Sequence, residues 1–467
     1  MEQDNVAASA VRNDEAGARA TLLVAGLAAL ATYLDTTILF VAFPDIRESF
    51  GESPPSTLSW VLNGYTITFA ALLVPAGKLA DRLGHRRVFL SGSAVFTVAS
   101  LACGLAPRVD VLIAARVVQG AGAALLVPAS LALVMAAFAR DRLPQVVAIW
   151  GAIGAFSAAL GPSVGSLIID GLGWRWAFYI NLPIGLVTLV AGARLLSERS
   201  DRSVRLPTPV GVLLVASAAG ALVYGIVESD TYGILSARTV AVMLIGLVLL
   251  GLFVVHQRTT AAPTLDLDLF LLRNFRWGNV GMLAYSAGFS AMFFGLILFL
   301  VEVWEWSILR AGFAIAPGPL VAALLASRFG KLGGQIGQRP LVIVGGLLFA
   351  VGGAYRLFFL TEEVDYLVDF VIPLAIVAIS IPLVFPQVTS TAAQALPPNQ
   401  VGVGGGTTQA IRQLGGSVGV AATIALLGTG TGLTESLAGF DRVWWFTIAA
   451  GLLTAVAALP LQTGRAG

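Results

Sequence analysis

From residue 21 onward the chain alternates long apolar runs with short polar breaks. Each run is about 20 residues, enough to cross roughly 30 Å of hydrocarbon as a helix. Fourteen such runs are predicted, the first at 21–43 and the last at 441–462. They are continuously apolar rather than alternating, which predicts helices and not a barrel. Residues 1–20 are polar and mixed in charge, without the basic start and short apolar core of a secretory signal. They are expected to form a disordered cytoplasmic tail.

The polar breaks carry a repeat. Gly77-Lys78-Leu79-Ala80-Asp81-Arg82-Leu83-Gly84-His85-Arg86-Arg87 falls between the second and third runs. Gly330-Lys331-Leu332-Gly333-Gly334-Gln335-Ile336-Gly337-Gln338-Arg339 keeps Gly, Lys, Leu, Gly and Arg in the same places, 253 residues on. Lys78 and Lys331 are the only lysines in the chain. Leu160-Gly161-Pro162-Ser163-Val164-Gly165 and Leu414-Gly415-Gly416-Ser417-Val418-Gly419 match at an offset of 254. Duplicated halves are a common plan among secondary transporters. Six helices need fewer residues than that offset, so runs 7 and 8 read as an insertion. The expected fold is all-α and polytopic. A tail (1–20) leads into a six-helix bundle (21–196), and a linker (197–207) into an inserted hairpin (208–256). A cytoplasmic loop (257–276) then precedes the second six-helix bundle (277–462).

Composition agrees with a membrane protein. The chain has 467 residues, 57% hydrophobic and 12% charged, with mean hydropathy +0.86. Soluble proteins carry roughly 25% charged residues. A net charge of +2 gives no reason to expect nucleic acid as a partner. One cysteine, Cys103, excludes an internal disulfide or cysteine metal cluster. No catalytic constellation or metal-ligand spacing is present, so an enzyme is not expected. With the N-terminus inside, 19 loop cations fall on the cytoplasmic side and 7 outside. That fits the positive-inside rule, and an even number of spans puts both termini inside. Arg356 is counted among the outer seven, and Arg140, Arg199, Arg202, Arg205 and Arg465 among the inner set.

Two charges interrupt the apolar runs of the first half. Asp35 is the only charge in run 1, and Arg116 the only one in the body of run 4. Helical rise puts both at similar depth, about a third of the way in from outside. Ionisable residues at such depth face a polar cavity or a partner, and default to functional roles. The alternative is an ion pair that only locks two helices. Gln119 and Gly120 share a face with Arg116. Gly161 and Gly165 form a small-residue surface around Pro162, read either as plain packing or as a bend for a conformational switch. Arg412 lies near mid-membrane in run 13 with Gln409 on its face. Pro382 and Pro386 beside Gln387 predict a broken, cavity-lining helix. Tyr285, Phe289 and Phe293 stand a turn apart with Met292 nearby, and Glu302 closes that run outside. With Asn63, Tyr65 and Gln119, these are the candidate substrate-lining positions.

The motifs resemble the major facilitator superfamily, and within it the fourteen-helix drug:proton antiporters. Residues 77–87 resemble the loop motif between helices 2 and 3. Leu112, Arg116, Gln119, Gly120 and Gly122 resemble the helix 4 motif attributed to proton coupling. Gly161-Pro162 and Gly165 resemble the helix 5 motif of antiporters. Leu34-Asp35-Thr36-Thr37-Ile38 through Pro44, and Trp174 to Pro183, resemble signatures of the fourteen-helix branch. Phe40 stands where that branch usually has Asn, Ser166 replaces a glycine, and Gly334 stands opposite Asp81 in the second loop.

The resemblance implies proton-driven export by alternating access, with the proton as coupling ion and no other cofactor. Asp35 would take the proton and Arg116 tune it. Gly77, Asp81, Arg82, Gly84, Arg86, Gly161, Pro162 and Gly165 would gate the two states. No second-half acids of the kind used for dications are evident, so neutral or monocationic lipophilic compounds are the expected cargo. A translocator of a lipid-like substrate, working without protons, is the alternative. A non-transporting sensor or scaffold is a third reading. A monomer in the cytoplasmic (inner) membrane of a bacterium is expected.

Overall fold

The computed structural model describes residues 2–139, 142–198, 200, 206–397, 400–428 and 433–462. Arg140, Arg199, Arg202, Arg205 and Arg465, and with them most of the expected linker 197–207, lie outside the described residues. The described backbone is helical, without strands.

The first bundle comprises α1 (Glu2–Ser49), α2 (Trp60–Leu83), α3 (His85–Gly104), α4 (Val109–Ala137), α5 (Leu143–Leu172) and α6 (Asn181–Leu195). The inserted pair is α7 (Pro209–Val227) and α8 (Ala237–Thr259). The second bundle begins with α9 (Arg273–Glu302), α10 (Pro317–Ile336) and α11 (Gln338–Phe359). It ends with α12 (Ile372–Gln394), α13 (Val401–Leu427) and α14 (Leu433–Ala458). Short helical turns Pro55–Leu58, Trp176–Tyr179 and Ile308–Ile315 extend α2, α6 and α10 at one end. Thirteen of these segments are long and apolar enough to cross a membrane, and α5 supplies a further 30-residue helix. About fourteen spans result.

Two boundaries differ from the sequence expectation. Helix α1 runs back to Glu2, through the stretch expected to be a tail. Helix α8 continues to Thr259 and a 3-10 turn fills Leu267–Leu271, so the loop before α9 is shorter than 257–276.

The bundles are packed pair for pair. Helix α1 lies on α5 and α6 as α9 lies on α13 and α14, and α3 lies on α4 and α6 as α11 lies on α12 and α14. The contacts repeat at residue level. Gly92 faces Leu125 and Leu126 as Gly345 faces Leu383 and Val384. Gly161 faces Thr37 as Gly415 faces Ser286.

Helix α7 packs on both α2 and α13, covering the seam where the bundles meet. Trp60 and Tyr224 rings stand 6.3 Å apart there. Helix α8 lies outside it and exposes Leu244, Leu247, Val248, Leu252 and Val255. An apolar exposed face of this kind suits lipid.

The side expected to face outward is closed. Phe40 meets Phe293 at 5.8 Å and Phe43 meets Phe294 at 5.0 Å. Arg47 pairs with Glu302 at 2.7 Å. Ser163 Oγ donates to Gly312 O at 3.4 Å, and Ser417 Oγ to Asn63 Oδ1 at 2.9 Å. Toward the other side, α5 exposes Phe156 and α10 exposes Leu320 and Leu324.

Candidate functional site

Helices α1, α3, α4 and α6 converge on Asp35. Its Oδ2 accepts from Arg116 Nη1 at 2.6 Å. Its Oδ1 accepts from Gln119 Nε2 at 2.8 Å and Asn181 Nδ2 at 2.9 Å. Arg116 also donates to Gln119 Oε1 at 2.6 Å and, through Nε, to Val61 O at 2.9 Å. Ser100 Oγ accepts from both Gln119 and Asn181, at 2.7 and 3.3 Å. Tyr65 lies under the guanidinium, 4.1 Å from ring centroid to Cζ. Asp35 and Arg116 are 0% and 1% exposed, so the pair is sealed inside the first bundle rather than facing a wet chamber. Breaking a buried pair from one side leaves an uncompensated charge, at a cost of about 3–5 kcal/mol. The cluster therefore changes as a unit. The matched contacts, Thr37 with Ser286 and Leu125 and Leu126 with Leu383 and Val384, put Ala284, Leu374 and Val377 opposite Asp35, Arg116 and Gln119, so the second bundle has no charged counterpart at those positions.

Sequence reasoning found Asp35, Arg116 and Gln119, and missed Asn181 and Ser100 as their partners. Both are neutral and sit in apolar runs. The one available signal was Asn181 inside the Trp174–Pro183 signature.

Residues 77–87 are not an extended loop. Helix α2 runs to Leu83, α3 starts at His85, and Gly84 alone joins them at φ +111°. Gly77 lies inside α2, where a Cβ would meet only Pro128 at 3.7 Å. Its glycine is not needed for a bend. Asp81 pairs with His85 at 2.9 Å, and Arg82 is exposed. The acid that holds the turn is Glu198, just past α6, which accepts from the backbone N–H groups of Arg86 and Arg87 at 3.2 Å. Arg86 also donates to Ala193 O. These contacts stay within the first bundle. Lys78 crosses out of it, donating to Pro263 O at 2.7 Å in the loop before α9.

Gly161 and Gly165 press α5 onto α1. A Cβ at Gly161 would collide with Thr37, and one at Gly165 would meet Ile38 at 3.1 Å. A Cβ at Gly312 would meet Pro162 O at 2.6 Å, so this stretch of α5 also touches the second bundle.

The expected substrate-lining residues divide. Gln387 is buried, and α12 is unbroken through Pro382 and Pro386. Pro386 has no N–H for Pro382 O, and Gln387 Nε2 takes that carbonyl at 3.4 Å and Phe329 O at 3.2 Å. Tyr285 is buried, bonded to Ser380 at 2.6 Å and packed on Phe385 at 4.9 Å. Met292 is buried in the core. Phe293 belongs to the outer closure, and Glu302 is bound to Arg47. Tyr65 and Gln119 belong to the Asp35 cluster, and Asn63 is buried against Ser417. Half-buried Phe289, Phe385, Gln409 and Arg412 remain, with Tyr33 across from them. Arg356, expected in an outer loop, is 1% exposed inside α11, where it donates to Gly352 O at 3.2 Å.

Residues 25–420 match the sequence profile of the Major Facilitator Superfamily. The chain belongs to that superfamily. Its relatives include the multidrug resistance protein Stp of Mycobacterium tuberculosis, 34% identical over 86% of this chain and 74% of that protein. The cephamycin export protein CmcT of Amycolatopsis lactamdurans is 34% identical over 94% of this chain and 92% of its own length. A methylenomycin A resistance protein of Streptomyces coelicolor is 32% identical, covering 89% and 87%. These relatives are transporters, and this chain is a multi-pass membrane transporter rather than an enzyme. Among solved structures, a D-xylose-proton symporter shares the fold at TM-score 0.67 and 14% identity, over 96% of this chain and 98% of the symporter.

Proposed function

We propose that this superfamily member is a proton-driven efflux antiporter that exports lipophilic compounds by alternating access. The export reading draws support from the resistance and export proteins among its relatives. The proton reading rests on one observation: Asp35 and the outer closing contacts share helix α1. Asp35 binds α4 and α6 through Arg116, Gln119 and Asn181. Phe40, Phe43 and Arg47, one to three turns on, hold α9.

Protonating Asp35 removes one charge of the pair. Arg116 keeps Gln119 Oε1 and Val61 O, while α1 loses its strongest tie to α4. The freed helix carries the outer contacts with it. Proton binding and outer closure are then coupled through one rigid element, and cargo binding from the inside opposes the proton. A proton gradient of 100 mV contributes about 2.3 kcal/mol per proton, roughly 50-fold in concentration for one-for-one exchange of a neutral substrate. Neutral cargo fits the half-buried aromatic faces of Phe289 and Phe385. A cation meets no uncommitted carboxylate there among the described residues, because Asp35 is fully engaged and the other acids lie near helix ends. In this reading the protein works as a monomer in the cytoplasmic membrane, with both termini inside.

The test is Asp35→Asn in proteoliposomes with an imposed pH gradient. Proton-driven flux is expected to fall at least about ten-fold, with downhill exchange retained. Full flux in that variant removes Asp35 from coupling.

A further inference from the structure

Three donors near the bundle interface have no hydrogen-bond partner among the described residues. Arg412 on α13 makes no ion pair or hydrogen bond among the described residues, and its guanidinium lies over the Phe385 ring at 4.4 Å. One turn earlier on the same face, Gln409 Nε2 is buried without an acceptor. Asn63 Nδ2, further out on α2, is buried without one too, although Asn63 Oδ1 takes the Ser417 hydroxyl. The contrast with the Asp35 cluster is sharp. There Arg116 Nη1 and Nε, Gln119 Nε2 and Asn181 Nδ2 all have acceptors. At Arg412 a full positive charge and an amide face the half-buried aromatics Phe289 and Phe385, whose centroids are 5.7 Å apart. Tyr33 of α1, which leans on Gly154 of α5, is the group within electrostatic reach across the interface. It is neutral and does not compensate the charge.

A half-buried guanidinium and an orphaned amide are costly to leave unmatched, because a desolvated donor forfeits its bonds to water. What completes them is an acceptor carrying negative charge, brought from outside the chain. A planar carboxylate fits, since a guanidinium fork holds two oxygens in parallel and an adjacent amide donates a third bond. The ring faces of Phe385 and Phe289 fit an apolar body attached to it.

We propose that Arg412 and Gln409 form an oxyanion subsite beside the Phe385 and Phe289 rings. It selects lipophilic molecules that carry a carboxylate. This deepens the export reading above and rests on the same aromatic faces.

Binding is measurable without any gradient, so the two readings fail separately. The purified full-length protein in detergent is titrated with 1-pyrenebutyrate and with its methyl ester, followed by pyrene fluorescence. The acid is expected to bind about ten-fold or more tightly than the ester, the scale of a charge-assisted pair. Arg412→Gln is expected to remove that preference while leaving the ester within about two-fold. Arg412→Lys is expected to restore part of it, because it keeps charge and loses the fork. Equal affinity for acid and ester in the unmodified protein overturns the proposal without any variant having to fold. Tighter binding of 1-pyrenemethylamine overturns it as well. If dioleoylphosphatidylglycerol at saturating level abolishes the acid's advantage, the guanidinium serves a lipid headgroup and the carboxylate reading falls. Selective acid binding with no proton-driven flux sinks the export reading and leaves this one standing.

Discussion

Asp35 accepts three hydrogen bonds in a site with no measurable exposure. Its chemistry belongs to its neighbours as much as to itself. Asn181→Ala removes one donor to the charged form, a bond worth about 1.5–3 kcal/mol. Proton-driven flux in proteoliposomes is expected to fall about ten-fold in that variant, while the purified protein melts within a few degrees of the parent. Gln387 is the opposite case, a polar residue whose work is structural. Gln387→Ala leaves Pro382 O and Phe329 O without their donor, at about 1–3 kcal/mol. A lower melting temperature with unchanged cargo affinity is the expected result, and reduced affinity instead would return Gln387 to the cavity. The sequence made Asp35 and Arg116 legible because a charge in an apolar run is costly and therefore visible. Asn181, Ser100 and Glu198 left no such mark: two are neutral, and the third is one acid in a polar stretch. Arg356 does lie in the last turn of α11, but its burial was not legible, because depth counted along a run says nothing of whether a side chain turns inward.

At the scale of helices, glycine sets the distances. Gly161 and Gly165 let α5 lie against α1, the helix that carries both Asp35 and the outer contacts. Gly161→Ala puts a methyl onto Thr37, and overpacking of this kind costs about 1–3 kcal/mol. Slower transport and a lower melting temperature are expected, and Thr37→Ala in the same protein is expected to recover part of both. Full additivity of the two changes would mean that they do not touch. The helix pattern itself was readable, since run length and continuous apolarity leave few choices in a bilayer. The expected break in α12 was not realised, because Gln387 satisfies the carbonyl that Pro386 leaves open. A proline signals a missing donor, and the surroundings decide whether anything bends.

For the whole molecule, the outer contacts join the two bundles on one side. Arg47 and Glu302 join helices from different bundles at 2.7 Å. With Cys103→Ser as background, Arg47→Cys together with Glu302→Cys is expected to cross-link under oxidation and arrest transport, which reductant restores. Transport that continues at full rate while the bridge is closed would mean that these helix ends do not separate. The duplicated architecture was visible as two offsets, 253 at the turn after α2 and 254 at the glycine motifs of α5 and α13. The place of the inserted pair was not, because nothing in α7 or α8 beyond their apolarity names the helices they lean on. Helix α7 touches α2 and α13 together, along one of the two lines where the bundles meet. A door fixed along one jamb swings widest at the other. The strap covers its own flank and leaves the far flank, between α5 and α10, without such a cover, so entry of bilayer-dissolved molecules is expected on that flank rather than on the strapped one.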